Sequence, residues 1–420
     1  MLYSLRGAIA KMGGAIVLGQ LVAVAVAPLL SRLYSPADFG QFALYSGVVG
    51  VLAMLVTMSV REILPASHDT VERDHLTAFS MATTIVGVVG ILVAALGLMI
   101  LEVDSDLTHG QFWLWLAVPA GVLVLAIYDL DAALMIREMR YQRLAQRTLT
   151  QYLSQALTQL AFAFLPLAGG GLSLGFIAGR GAALLLPTGI RRGGVRARGD
   201  WRRGWRAYRE RGVLLLPAQL LNVATPLMSA TLVTVTFGIT VTGQYALAER
   251  IIAVPIMLLS AAVGQVFYGA FAKVVREDPG AAPATFWKVL RQLLLIGALP
   301  ILLLSLTAPW WFPTIFGPEW QQAGVLVALM APGFAMQAAV APLSSALVAL
   351  DRVDLRFYWD LSRFGLVALT LTIGNLSGAA VTTVFAFLGV AWVLSYLVML
   401  VMVRASLMPR GSDASMPGYE

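Results

Sequence analysis

The chain has 420 residues, 59% of them hydrophobic and only 12% charged, with a formal net charge of +7 and a mean hydropathy of +0.80. That is too little polar surface to coat a soluble globule of this size, and the positive charges flank apolar runs instead of gathering into a nucleic-acid patch. The absence of cysteine excludes disulfides, thiolate metal sites and cysteine nucleophiles.

Runs long enough to cross about 30 Å of hydrocarbon, about 20 residues each, fall near 9–31, 39–61, 76–101, 112–135, 148–168, 172–190, 213–237, 243–271, 288–309, 323–350, 357–375 and 379–403. The first follows Arg6 and Lys11 and continues through Gly13–Leu30 without a small-residue cleavage site, so it reads as a retained helix. The fold expected is all-α and integral to the membrane, with twelve transmembrane helices.

All but four of the 29 Lys and Arg lie in alternate segments between these runs or at the chain ends. They are Arg6 and Lys11; Arg61 and Arg73; Arg137, Arg140, Arg143 and Arg147; nine Arg from Arg191 to Arg211; Lys273, Arg276, Lys288 and Arg291; Arg352 and Arg356; Arg404 and Arg410. Positive charge marks the cytoplasmic face, so both termini are expected there. The opposite loops carry Asp38, then Glu102, Asp104 and Asp106, then Trp310, Trp311, Phe312, Phe316, Glu319 and Trp320, aromatics suited to headgroup depth. No loop on that face exceeds about 15 residues, too few for a folded catalytic domain.

One motif recurs. Gly40-Gln41-Phe42-Ala43-Leu44 opens the second run and Gly243-Gln244-Tyr245-Ala246-Leu247 the eighth, each after a run containing proline, Pro28 and Pro226. Six spans apart and on one side, they imply a parallel repeat of two six-helix lobes around a central cavity. The boundaries expected are a lobe at 1–190, an Arg-rich cytoplasmic linker at 191–212, a lobe at 213–403 and a cytoplasmic tail at 404–420. Trp201 and Trp205, set among arginines, point to a segment on the inner leaflet.

Four cations lie outside the inner segments. A charge inside a bilayer costs about 2.5–3.5 kcal/mol on insertion scales, so it faces a cavity or a partner. Arg180, central in the sixth run with no acid in its own helix, is read as lining a wet cavity or pairing across helices. Arg250 is weighed the same way. Its neighbour Glu249 points about 100° away, and is a candidate proton or cation site alongside Asp129. Arg363 and Asp360, three apart, form a self-contained pair. Arg61 is read as a snorkelling residue or the mouth of a substrate path, and Arg32 as an anchor of the outer turn.

Other motifs carry little. Asp129-Leu130-Asp131 imitates a glycosyltransferase metal motif without a nucleotide-binding domain, and His68, His75 and His109 have no ligand spacing. There is no Gly-x4-Gly-Lys-Ser/Thr, and no cofactor or metal is expected. Gly169-Gly170-Gly171 is a tight outer turn, and Gly171, Gly175 and Gly179 form a stripe for close helix packing. Pro28, Pro119, Pro187, Pro217, Pro226, Pro255, Pro300, Pro332 and Pro342 fall within the runs, where membrane helices tolerate kinks.

The stretch from Ser31 to Tyr45 resembles the outer-turn motif of bacterial polysaccharide flippases, the O-antigen and exopolysaccharide (Wzx-type) branch of the multidrug/oligosaccharidyl-lipid/polysaccharide exporter superfamily. Gly243-Gln244-Tyr245-Ala246-Leu247-Ala248-Glu249-Arg250, with Pro255 and Gly264-Gln265-Val266-Phe267, resembles its second-half counterpart. The resemblance implies a transporter, not an enzyme, of the bacterial cytoplasmic membrane. It would move an undecaprenyl-diphosphate-linked oligosaccharide from the inner to the outer leaflet by alternating access. Cavity cations would receive the diphosphate, with Arg180, Arg250, Arg363, Arg61 and Arg32 as candidates. The partners implied are the lipid-linked oligosaccharide, membrane lipids and polysaccharide polymerase machinery, with no nucleic acid. The alternatives are a drug or other lipid exporter of the superfamily, and a membrane-embedded polysaccharide polymerase or ligase, which would need a large polar outer loop.

Overall fold

The computed structural model describes residues 2–100, 112–165, 167, 170–188 and 199–407. Among the described residues every regular element is helical. The long ones are α1 (Leu2–Leu33), α2 (Pro36–Val56), α3 (Thr70–Ile100), α4 (Phe112–Arg137), α5 (Tyr141–Phe162), α6 (Gly171–Leu185), α7 (Trp201–Phe237) and α8 (Ile239–Glu277). They continue with α9 (Ala282–Leu293, extended through Leu294–Ala298 to Leu299–Leu306), α10 (Gln321–Val340), α11 (Val353–Ser377) and α12 (Val381–Leu407). Each apolar run is centred on a helix, and among the described residues nine are long and apolar enough to cross a membrane. The expected acids Glu102, Asp104 and Asp106, with His109, Arg191–Arg198 and Arg410, lie outside the described residues.

The three helices that miss that test do so for distinct reasons. α6 is short, at 15 residues. α11 carries Asp354, Arg356, Asp360 and Arg363. α5 is polar along its length and starts before the run read from the sequence, so that Arg147, expected in an inner segment, is 1% exposed.

Local chemistry sets the boundaries. Ser35 caps α2 in a reciprocal box with Asp38: the Ser35 backbone N–H donates to the Asp38 carboxylate (2.8 Å), the Asp38 N–H to Ser35 Oγ (3.3 Å), and Pro36 follows at the first helical position. The other end of α2 turns through Met58 and Ser59, both left-handed at φ 54° and 51°. Pro342 lacks an N–H to continue α10, which ends at Val340 in a 3₁₀ turn, and Pro187 lies beyond α6 instead of within it. Pro300 has the same deficit, and the preceding turn of α9, Leu294–Ala298, widens to a π-helix.

One helix-ending pattern recurs at Met58, Met139, Asp351 and Gly378, and at two of these the next residue is Arg. Between α4 and α5, Met139 is left-handed (φ 54°), its N–H bonds Ile136 O, and the Arg140 N–H bonds Met135 O. Between α10 and α11, Asp351 is left-handed (φ 56°), its N–H bonds Val348 O, and the Arg352 N–H bonds Leu347 O. Both are the same helix-ending motif followed by Arg, six helices apart.

The chain divides into two compact units, the residues up to Leu247 with Phe312–Gln321, and Ala248–Trp311 with the described residues from Gln322 on. The first unit includes α7, which lies beyond the lobe at 1–190 read from the sequence. Gly47 and Gly50 of α2 face Leu227 and Val223 of α7, and Gly40 and Gly243 cross with their backbones in contact. An added Cβ at Gly40 would overlap the Ile239 carbonyl, and one at Gly243 the Pro36 carbonyl. The contact is reciprocal, each glycine meeting the residue four before the other, as across a two-fold axis. The second unit has its own core around Phe267, Phe271, Phe286, Leu343, Trp359 and Met399.

Candidate functional site

The site builds outward from the packing of α5 on α6. At helical spacing, Arg147, Gln151, Gln155 and Gln159 form one face of α5, and all four are buried. That face meets the glycine stripe of α6: Gly175 lies against Gln159, and Gly179 against Gln155 and the Gln151 carbonyl. The polar side chains then bond the carbonyls of α6. Gln159 Nε2 donates to Leu172 O (2.9 Å), Arg147 Nε to Ala183 O (3.0 Å), and Thr158 Oγ1 to Gly175 O (3.4 Å). Arg147 also pairs with Asp131 of α4 at 3.2 Å, the two side chains 1% and 6% exposed.

Arg180 projects from this platform. Its guanidinium lies 3.6 Å from the centre of the Phe176 ring, and Nη1 donates to Phe176 O (3.3 Å) and Gln155 Oε1 (3.5 Å). Phe42 and Tyr45 of α2 hold the Phe176 ring edge-on, with centroids 5.9 and 6.4 Å away. Among the described residues no carboxylate lies within 4.0 Å of Arg180, and its Nε is buried without a hydrogen-bond partner. Asp129, Tyr128, Tyr152 and Tyr45 are within electrostatic range. Tyr152 accepts from Gln20 of α1 at 2.9 Å, and Tyr45 donates to Ala117 O at 2.9 Å. The result is a guanidinium held by a ring and an amide, surrounded by phenols, with donors to spare.

Asp129 and Asp131 face opposite ways, as an i, i+2 pair on a helix must. Asp129 pairs with Arg61 (2.9 Å), which also reaches Glu62 (3.0 Å), while Asp131 holds Arg147. The two carboxylates therefore serve different arginines and do not converge as a chelate.

The other sequence-predicted residues lie elsewhere. Arg32 donates to Thr314 O (3.4 Å) and Ile315 O (3.5 Å), the last carbonyls of the helix Ala308–Phe316, as an anchor would. Beside it the Trp320 indole N–H donates to Ser31 O (2.9 Å) and Ser31 Oγ to Phe316 O (2.9 Å). Arg363 pairs with Asp360 at 3.5 Å, as its spacing anticipates, and lies 5.3 Å from the Trp359 ring; Arg356 reaches the same carboxylate at 3.4 Å. Glu249 and Arg250 sit half-buried on α8 in the second unit. Arg61, Asp129 and Arg180 thus belong together in the first unit. The polar face of α5 was missed, although glutamines at i+4, i+8 and i+12 from Arg147 were there to be read.

The profile of the family described as "Polysaccharide biosynthesis protein" matches residues 29–324. The chain belongs to that family. The match bears out the resemblance to polysaccharide flippases carried by Ser31–Tyr45 and Gly243–Arg250. Over 198 residues it is 27% identical to the lipopolysaccharide biosynthesis protein WzxC of Escherichia coli K12, covering 46% of this chain and 40% of that one. Over 213 residues it is 26% identical to the teichuronic acid biosynthesis protein TuaB of Bacillus subtilis 168, covering 47% and 42%. The match spans about two fifths of the length of these curated relatives. Among solved structures, the lipid II flippase MurJ in an inward closed conformation superposes with a TM-score of 0.74 at 11% identity, over 94% of this chain and 88% of that one. The fold is that of an all-α, multi-pass membrane transporter.

Proposed function

We propose that the protein flips an undecaprenyl-diphosphate-linked oligosaccharide from the cytoplasmic to the outer leaflet of the bacterial inner membrane for polysaccharide biosynthesis. The observation that carries this is Arg180, an intramembrane guanidinium with no carboxylate of the described residues within 4.0 Å, in a chain of a polysaccharide-biosynthesis family. A diphosphate and its sugars cannot cross hydrocarbon unaided, since each desolvated polar group costs several kcal/mol. A guanidinium fork complements phosphate oxygens, and the surrounding phenols and amides can bond hydroxyls. The same positive charge disfavours cationic drugs.

The architecture proposed is twelve crossings in two six-helix lobes, with both termini cytoplasmic and a cavity opening to each side in turn. The reciprocal Gly40–Gly243 contact and the matched turns at Met139 and Asp351 support the repeat. Arg250 is proposed as a second cavity cation and Glu249 as a coupling carboxylate. Polysaccharide polymerase machinery is the proposed recipient of the flipped glycan. In a deletion strain, lipid-linked oligosaccharide should accumulate on the cytoplasmic side and the wild-type gene should clear it. Accumulation unchanged by deletion would refute the proposal.

A further inference from the structure

Transport through Arg180 leaves one feature of the first unit unused. Between α3 and α4 lies a cavity of about 500 Å³. Ala78, Met81 and Ile85 of α3 and Leu123, Ile127 and Leu130 of α4 form its walls, while Thr77 and Asp131 stand at the end nearer the Arg-rich side. Farther along α3, Ile85, Val86, Val89 and Val93 are exposed, and no polar residue interrupts that surface. A cavity bordered in this way opens on hydrocarbon when the helices are in a bilayer.

The start of α7 packs on the same turns of α3. Gly199 lies against Asp74 and Ala78, and Gly204 against His75 and Phe79. Phe79 also meets Trp205 and Tyr208, with centroids 5.7 and 5.3 Å apart. Gly204 and Tyr208 face inward, and Trp201, Arg202, Arg203, Trp205, Arg206 and Arg209 are exposed. Asp200 is the only acid from 199 to 209; it caps α7 by accepting from the Arg202 N–H at 2.9 Å and pairs with Arg203 at 3.7 Å, both side chains well exposed. α7 has 37 residues. At 1.5 Å per residue that is about 55 Å, well beyond about 30 Å of hydrocarbon, so its first turns stand outside the hydrocarbon, with Gly204 packed on His75 and Phe79 near the start of α3.

We propose that this is a binding site for an anionic phospholipid of the leaflet on the Arg-rich side, with an acyl chain in the α3–α4 cavity and the phosphate on the α7 arginines. Both halves of such a lipid are matched by chemistry on adjoining surfaces. The cavity takes a chain from the bilayer, and the guanidinium forks take a phosphate at the depth where tryptophan also prefers to lie. A soluble protein partner would leave the hydrocarbon-facing cavity empty. A zwitterionic lipid gains little from four exposed cations.

The test uses the full chain in nanodiscs containing equal phosphatidylglycerol and phosphatidylcholine, with the retained lipid counted after extraction by native mass spectrometry. The wild type should retain phosphatidylglycerol over phosphatidylcholine. Changing Arg202, Arg203 and Arg206 together to Gln should weaken that retention on the order of a hundredfold, about fivefold per arginine. The corresponding Lys variant should keep most of it, which separates a charge effect from misfolding. Ala82→Phe, which fills the cavity, should release the lipid with the arginines intact. Equal retention of the two lipids by the wild type, or no loss in the Gln variant, would overturn the proposal. So would displacement of the lipid by stoichiometric undecaprenyl diphosphate, which would make the groove part of the substrate path.

Discussion

Arg180→Ala separates transport from folding. A structural arginine paired in the interior leaves an uncompensated acid when it is removed, at about 3–5 kcal/mol. Among the described residues Arg180 has no carboxylate within 4.0 Å, so truncation strands no charge and frees only the long bonds to Gln155 Oε1 and Phe176 O. It relieves an intramembrane charge worth about 2.5–3.5 kcal/mol, and it loses the contact 3.6 Å from the Phe176 ring centre, worth about 0.5–2 kcal/mol. The balance leaves abundance unchanged or slightly raised. Transport should behave oppositely. Each hydrogen bond to a charged group contributes about 1.5–3 kcal/mol, so losing one or two from a diphosphate lowers flipping by about 10- to 100-fold or more. Arg180→Lys should recover part of the activity, because the charge stays and the fork is lost. The assay is clearance of lipid-linked oligosaccharide per molecule of membrane-inserted protein, measured by immunoblot and lipid extraction. Normal clearance per molecule with reduced protein would refute the reasoning and make Arg180 structural.

Arg147→Ala should show the reverse, a loss of folded protein by about 3–5 kcal/mol because Asp131 is left charged and buried; Arg147→Met with Asp131→Leu should restore abundance, read by thermal unfolding in detergent. Gly243→Leu should sharply reduce folded protein, since no side chain fits against the Pro36 carbonyl, whereas Gly90→Ala, with nothing within 4 Å of its added Cβ, should be nearly silent. Arg61→Ala should cost no more than about 1 kcal/mol, because its ion pairs are half-exposed, as measured by the same unfolding assay. Reporter fusions after Gly110, Gly171, Gly243 and Glu319 should report the outer side, and those after Arg73, Arg198, Asp278 and Arg356 the cytoplasm; an outer assignment for Arg198 would overturn the proposed topology.

Much of the fold was legible because hydrophobic length and charge alternation act locally. The runs, the cap at Ser35, the stripe from Gly171 to Gly179 and the Asp360–Arg363 pair each depend on residues within a few turns. The face of α5 was illegible because its purpose lies on another helix. Gln155 and Gln159 read as a weak apolar run until the carbonyls and glycines of α6 are placed beside them. Arg147 likewise counted as an inner-segment charge until Asp131 was seen 3.2 Å away. Arg180 was identifiable as an intramembrane cation one turn from Phe176 of its own helix, but the amide and phenols around it come from α2, α4 and α5.

Flipping itself is measured most directly in vesicles reconstituted with the purified chain and a labelled undecaprenyl-diphosphate oligosaccharide. The share of glycan accessible to an impermeant oxidant added outside reports translocation. Wild-type protein should make glycan from both leaflets accessible within minutes, Arg180→Ala should slow this by about 10- to 100-fold, and protein-free vesicles should stay half-protected. Half-protection that persists with well-folded wild-type protein would contradict the proposed flipping.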